Sequence, residues 1–257
     1  MTSMEQRDAA TAASALDGRR ALVTGASGDL GQAIARRLAR EGAHVIVHAN
    51  RRLALAQDVA SRIAHDGGSA EAVAFDVTDR EATRRELERL LAAGPVHIVV
   101  NNAGLHDDAV FPGMQPVQWD RVIDVSLNGF YNVTQPLALP MIRARWGRII
   151  SISSIAGLVG NRGQVNYAAA KAALHGATRA LSLEVASRGV TVNAVAPGII
   201  ASAMADAAFD AKRIAELVPA KRAGTPDEVA ALVAFLAGPE AGYISGQVIS
   251  INGGLAG

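Results

Sequence analysis

A chain of 257 residues, half of them hydrophobic and with a formal charge of +1, is long enough for one large α/β domain and lacks the basic, aromatic-laced tract that nucleic acid demands. The absence of cysteine excludes disulfides and thiolate chemistry, and no metal site is expected: of the six histidines only His44 and His48 fall four residues apart, in the β-branched run HVIVH, where a strand would set them about 13 Å apart. No apolar run approaches the length of about 18 residues that a membrane span needs, and the composition fits a reducing cytoplasm.

Residues 1–17, MTSMEQRDAATAASALD, hold charges and small residues without a signal peptide's apolar centre, and are expected to form a flexible tail. From residue 18 short β-branched runs recur: ALVTG at 21–25, HVIVH at 44–48, AVAF at 72–75, HIVVN at 97–101, RIISIS at 148–153, VTVNAV at 190–195 and QVISI at 247–251. Helical patterns such as QAIARRLAREG and EATRRELERLL separate them. Strands alternating with helices imply βαβ crossovers and a parallel sheet covered on both faces. The expected fold is a single-domain, Rossmann-type doubly wound parallel sheet of about seven strands flanked by helices, with ligands at the carboxyl ends of the strands.

After the first strand comes ASGDLGQAIARRL, a Gly-rich turn that opens directly into a helix. Free backbone N–H groups and the helix dipole there would face an anion, which makes Gly25, Ser27, Gly28, Asp29, Leu30 and Gly31 a candidate phosphate cradle. The glycines could otherwise serve only a tight bend. The second strand ends VIVHANRRLALA, and His48, Ala49 and Asn50 supply none of the acid that would bond the ribose hydroxyls of NAD. Arg51 and Arg52 follow at once, and a guanidinium suits a 2′-phosphate, favouring NADPH over NADH; the plain alternative is a solvated basic helix start.

In NYAAAKAAL, Tyr167 and Lys171 fall four residues apart, a spacing that puts both on one helical face with small alanines between them. A free phenol is a poor acid at neutral pH, with a pKa near 10, and a neighbouring ammonium would draw that value toward the working range.

The Gly-rich turn, NNAG at 101–104, SISS at 151–154 and Tyr167-x-x-x-Lys171, in that order, resemble the short-chain dehydrogenase/reductase family over residues 18–257. Through GNRGQVNYAAAKAAL, EVASRGVTVNAVAPG and SGQVISINGG the chain is most similar to its 3-oxoacyl-acyl carrier protein reductases of fatty-acid synthesis. The resemblance implies NADPH-dependent reduction of 3-oxoacyl-acyl carrier protein to the 3-hydroxyacyl product. Ser154 would hold the substrate carbonyl, Tyr167 would donate the proton, and Lys171 would hold the nicotinamide ribose and lower the tyrosine pKa. Asp76 and Val77 would border the adenine. Asn101, Ala103 and Gly104 would pass beside the adenosine ribose, with Asn101 matching equally a residue that ties strands together. Pro197, Gly198, Ile199 and Ile200 would close on the nicotinamide amide.

Three positions depart from the family pattern. Asp29 stands where the turn normally has a glycine, as a possible helix cap near a pyrophosphate it would repel. Ser126, in DVSLNGFYN, stands where the catalytic asparagine is expected; either its hydroxyl orients the relay water, or a kink brings in Asn128. Ser202 and Ala203 replace a common Thr-Asp, and Ser202 keeps a hydroxyl for the cofactor.

The segment 201–221 is expected to form a lid whose Met204, Phe209, Leu217 and Val218 line an acyl site or pack on the core. Arg145 and Arg188 match two arginines that dock acidic acyl carrier protein in the similar reductases. Helices over 116–145 and 164–187 correspond to the relatives' main dimer surface, implying a homotetramer. Reduction of a free ketone, sugar or polyketide intermediate stays open as an alternative, as does a non-catalytic cofactor sensor or scaffold.

Overall fold

The structure, a computed structural model, describes residues 14–201 and 210–256, so Ser202, Ala203, Met204 and Phe209 lie outside the described residues. Seven strands form one sheet: β1 Arg20–Val23, β2 His44–Ala49, β3 Ser69–Ala74, β4 Ile98–Asn101, β5 Gly147–Ile152, β6 Val190–Pro197 and β7 Val248–Ile251. Their order is β3-β2-β1-β4-β5-β6-β7 and every pair is parallel, which is the doubly wound sheet expected. Strand order reverses between β1 and β4, opening a crevice at their carboxyl ends.

The strands form where β-branched residues can be buried on both faces; every residue of IVVN in β4 and VTVNAVAP in β6 is buried. The helices are α1 Asp29–Arg40, α2 Leu53–His65, α3 Arg80–Ala92, α4 Pro116–Ile123, α5 Gly129–Ala144, the short α6 Ala156–Val159, α7 Val165–Val185, α8 Ala211–Leu217 and α9 Pro226–Ala237. On one face Ile34, Val59 and Val233 of α1, α2 and α9 meet Val23, Val47 and Ile150. On the other, Leu87, Leu137 and Val185 of α3, α5 and α7 meet Leu22, Val99 and Ile149. Each such fully buried side chain contributes roughly 1.5–3 kcal/mol of transfer free energy. The ends of α9 and α3 are fixed locally, by the Thr225–Glu228 capping box and by Asp79 accepting the Ala82 N–H.

Two boundaries differ from expectation. Leu16 is fully buried and donates its N–H to Glu41 O, so packing begins before residue 18. The continuous helix expected over 116–145 is broken by a π turn at Asp124–Asn128, closed by the Gly129 N–H on Asp124 O. No helix among the described residues is long and apolar enough to cross a membrane.

Candidate active site

The Gly-rich turn sits at the switch point, between β1 and α1. Gly25 has φ +64°, a left-handed conformation that a side chain would strain. A Cβ on Gly31 would collide with Gly25 O and lie 2.7 Å from the Ala26 Cα, so backbone packs where a side chain would otherwise stand. Gly28 is the N-cap of α1 without a side-chain cap, and the first intrahelical bond is Gln32 N–H to Gly28 O. The N–H groups of Asp29, Leu30 and Gly31 precede that bond and face outward from the helix end beside Ser27. Asp29 is the first helical residue, exposed, and not the cap proposed from sequence.

Three side chains hold this turn in shape, and sequence inspection gave none of them that task. Thr24 Oγ1 accepts the N–H groups of Asn102 and Ala103 at 3.0 and 2.9 Å, and Asn102 Nδ2 donates back to Thr24 O at 2.9 Å. His48 is buried under the turn, accepting the Gly25 N–H on Nδ1 at 3.1 Å and donating from Nε2 to Phe75 O at 2.8 Å. Burial lowers the His48 pKa to about 4, against a smaller opposing effect of the Phe75 carbonyl. Its folded pKa is therefore below its unfolded one, so the associated stability is complete above pH ~6.5 and is lost as pH falls toward 4. Denaturant titrations at pH 7 and 4.5 are expected to show the wild type losing about 2 kcal/mol more than His48→Leu. Parallel losses in the two proteins would rule out His48 as the titrating group.

At the carboxyl end of β2, Asn50, Arg51 and Arg52 are exposed just before α2. Two arginines at a helix N-terminus oppose the helix dipole, so they are not there to stabilise α2. Arg51 reaches Asp76 Oδ2 at 3.4 Å across the ends of β2 and β3. Burial disfavours the Asp76 charge, yet hydrogen bonds from the Thr78 hydroxyl and N–H, with Arg51, hold its carboxyl below the usual range. Val77 is buried against Gly129, and its carbonyl accepts Asn132 Nδ2 at 2.9 Å.

The chain leaving β5 grips α7. Lys171 Nζ donates to Ile152 O at 2.8 Å and lies 5.5 Å from the Tyr167 ring centre, so the two share one helical face as their spacing indicates. Ser154 Oγ accepts the Ala156 N–H at 3.1 Å, which leaves its own O–H to donate to the Tyr167 phenol. Asn166 starts α7 firmly, with Nδ2 on Asp107 O and Gln118 O and Oδ1 on the Tyr167 N–H. Gly104 passes so close that a Cβ would stand 3.2 Å from Lys171 Nζ.

One electrostatic expectation is corrected. Burial pushes the Tyr167 phenol above its ordinary value, Ser154 opposes this, and Asp108 adds to it; the Lys171 charge is not among the causes. Although the ring is partly open to solvent, its oxygen is enclosed, and loss of water costs phenolate more than Ser154 returns. Lys171 is itself lowered to about 8 by burial.

The π turn gives Ser126 and Asn128 different surroundings. Asn128 is exposed and donates to Asp124 Oδ1 at 2.6 Å, whereas Ser126 is 4% exposed with a hydroxyl that has no partner among the described residues. A buried hydroxyl left open in a turn that packs on α7 is suited to hold a water. Asn101 Nδ2 bonds Thr134 Oγ1 at 2.9 Å, a tie from β4 to α5.

At the end of β6, Pro197 O accepts the Ile155 N–H at 2.8 Å, which sets Pro197 and the following Gly198 and Ile199 beside Ser154. Ile200 bridges to Gly224. Val218, expected in a lid, is buried against Gly253, while Leu217 is only partly covered. Arg145 and Arg188 are exposed and adjacent, with Arg145 Nη2 3.3 Å from Ser187 O. They lie before β5 and β6, so the length of a strand, about 20 Å, separates them from Ser154.

A model of the short chain dehydrogenases matches residues 19–213. The chain is 46% identical over 236 residues to a 3-oxoacyl-acyl-carrier-protein reductase of Aggregatibacter actinomycetemcomitans, covering 91% of this chain and 98% of that one. It is 43% identical over 242 residues to the reductase of the same name in Escherichia coli K12, covering 93% and 98%. Nodulation protein G of Rhizobium sp. strain N33 is 43% identical over 244 residues, covering 94% and 98%.

Proposed function

The chain belongs to the short chain dehydrogenase family, and from that premise we propose that this oxidoreductase reduces 3-oxoacyl groups on acyl carrier protein to 3-hydroxyacyl groups, using NADPH. The observation that carries the reading is the convergence of Ser154, Tyr167 and Lys171 at the carboxyl ends of β5 and α7's first turns, beside the Gly-rich turn. The dinucleotide fits the residues present, because the turn excludes a Cβ at Gly31 and points backbone N–H groups outward. Arg51 and Arg52, unfavourable for their own helix, support a 2′-phosphate.

Bound NADPH supplies the hydride. Ser154 orients the carbonyl oxygen, and Tyr167 gives that oxygen its phenolic proton as negative charge grows there. A phenol held above its ordinary pKa stays protonated through neutral pH and is a donor throughout. Lys171 stabilises the phenolate that remains, and a water at Ser126 returns the proton. The names of the similar reductases and the exposed Arg145–Arg188 pair support a carrier-bound substrate, and the resemblance to those reductases supports a homotetramer as the assembly. The likeness to nodulation protein G keeps a related carbonyl substrate as the second reading.

The test is cofactor oxidation with 3-oxoacyl-acyl carrier protein, free 3-oxo esters and ketones, each with NADPH and NADH. Carrier-dependent turnover with at least a tenfold preference for NADPH, roughly 1.4 kcal/mol of discrimination, is expected. Turnover of free ketones alone would transfer the assignment to the second reading.

A further inference from the structure

Three consecutive residues at the end of β5 each hold a different part of α7. The carbonyl of Ile152 takes the Lys171 ammonium, the hydroxyl of Ser153 donates to the Lys171 backbone carbonyl at 3.1 Å, and the hydroxyl of Ser154 meets the Tyr167 phenol. The middle contact has no place in the proton-transfer scheme above. It is completed by His175, whose Nε2 is 2.6 Å from Ser153 Oγ.

We propose that Ser153 and His175 form a positioning pair that locks Lys171, and with it Tyr167, against the strand that carries Ser154. This deepens the reading of Tyr167 and Lys171 as the reacting pair and rests on it. Residues 167, 171 and 175 succeed one another at four-residue spacing, so His175 stands one turn beyond Lys171 on the same face of α7. Within a continuous helix the Lys171 carbonyl already accepts the His175 N–H, so the helix does not need the second bond from Ser153. What that second bond does is fix α7 to β5.

A hydroxyl has one proton. Ser153 gives its proton to Lys171 O, so His175 must donate from Nε2, and the ring is locked in one tautomer. Ser153 and His175 are only 3% and 5% exposed, and leaving either unpaired would forfeit a buried hydrogen bond. Alanine and leucine would fill the same space with no such requirement. The polar pair therefore gives geometric definition where misplacement of about 1 Å can cost a hundredfold in rate.

Lysine occurs only at positions 171, 212 and 221, so protein labelled at lysine ¹³Cε gives three signals, with the Lys171 signal identified by its absence from Lys171→Met. In cofactor-free wild type the Lys171 signal should titrate at about 8. In Ser153→Ala and His175→Leu the midpoint is expected to rise by about one pH unit as water reaches the ammonium. The kcat is expected to fall roughly tenfold or more, with a smaller change in the cofactor KM. His175→Gln, whose amide donor has a similar reach, should move both values back toward wild type. Should His175→Leu not fold, Ser153→Ala decides alone. An unmoved Lys171 midpoint in Ser153→Ala overturns the positioning role, as does a His175→Gln variant no better than His175→Leu. A wild type that turns over no 3-oxo substrate would sink the functional reading instead, and the lysine titration would still decide the positioning claim.

Discussion

Tyr167→Phe is expected to lower kcat for carbonyl reduction by about 10³-fold, the middle of the range for a positioned general acid, with NADPH affinity changed less than about tenfold. The substitution keeps the ring that packs beside Lys171 and removes only the group Ser154 bonds. The pH profile separates the two ionisable partners. Tyr167 is raised above its ordinary value by burial, so it remains protonated well past neutrality. Lys171, lowered to about 8, carries its charge below that pH and loses it above, when the phenolate formed in turnover loses its nearest cation. Wild-type kcat should therefore be level through neutral pH and fall as pH rises through about 8. Stopped-flow reduction with Tyr167→Phe and wild type, from pH 6 to 10, checks both points. A Phe variant retaining a tenth of wild-type kcat would remove Tyr167 from the chemistry.

The parts legible in the sequence are those whose signal lies within one short segment. Seven β-branched runs betray strands because both faces of the sheet are covered, and all seven appear. The Gly-rich turn is readable from its place between the first strand and first helix, and Tyr167 and Lys171 from helical spacing. What escaped depends on residues distant in the chain. His48 holds the turn only because Phe75, 27 residues on, takes its other nitrogen. The His175 partner lies 22 residues upstream, at Ser153. A four-residue spacing reports that a lysine is near a phenol but says nothing of burial, and burial decides the direction of the Tyr167 shift. A kink near Asn128 is one of two alternatives the sequence leaves open, but its form, a π turn packed against α4, α5 and α7, is not legible there. Arg145 and Arg188 are readable as exposed arginines, but their position at the far end of the sheet from Ser154 follows from topology alone.

Lys171→Met is expected to abolish most turnover while making the protein more stable at pH 7, by about 2 kcal/mol and a rise in Tm of roughly 4–8 °C. The Lys171 ammonium is buried with a carbonyl as its hydrogen-bonding partner and the Tyr167 ring face nearby. Burial lowers its pKa from 10.5 to about 8, so the fold favours the neutral amine. A base with a folded pKa below its unfolded pKa weakens the folded state most where it must stay charged, below pH 8. The gross penalty is on the order of 3 kcal/mol, and it fades as pH rises from about 8 to 10.5. Methionine fills a similar volume without charge, at the loss of the bond to Ile152 O, about 1 kcal/mol. Calorimetry at pH 7 and 10 gives the decisive comparison, since the advantage of the methionine should shrink at the higher pH as lysine discharges. A variant less stable than wild type at pH 7 would mean that the Ile152 carbonyl and the Tyr167 ring repay the ammonium's desolvation. The expected result, with activity lost and stability gained at one residue, would mean that the fold keeps a buried charge against its own stability because proton transfer at Tyr167 requires it.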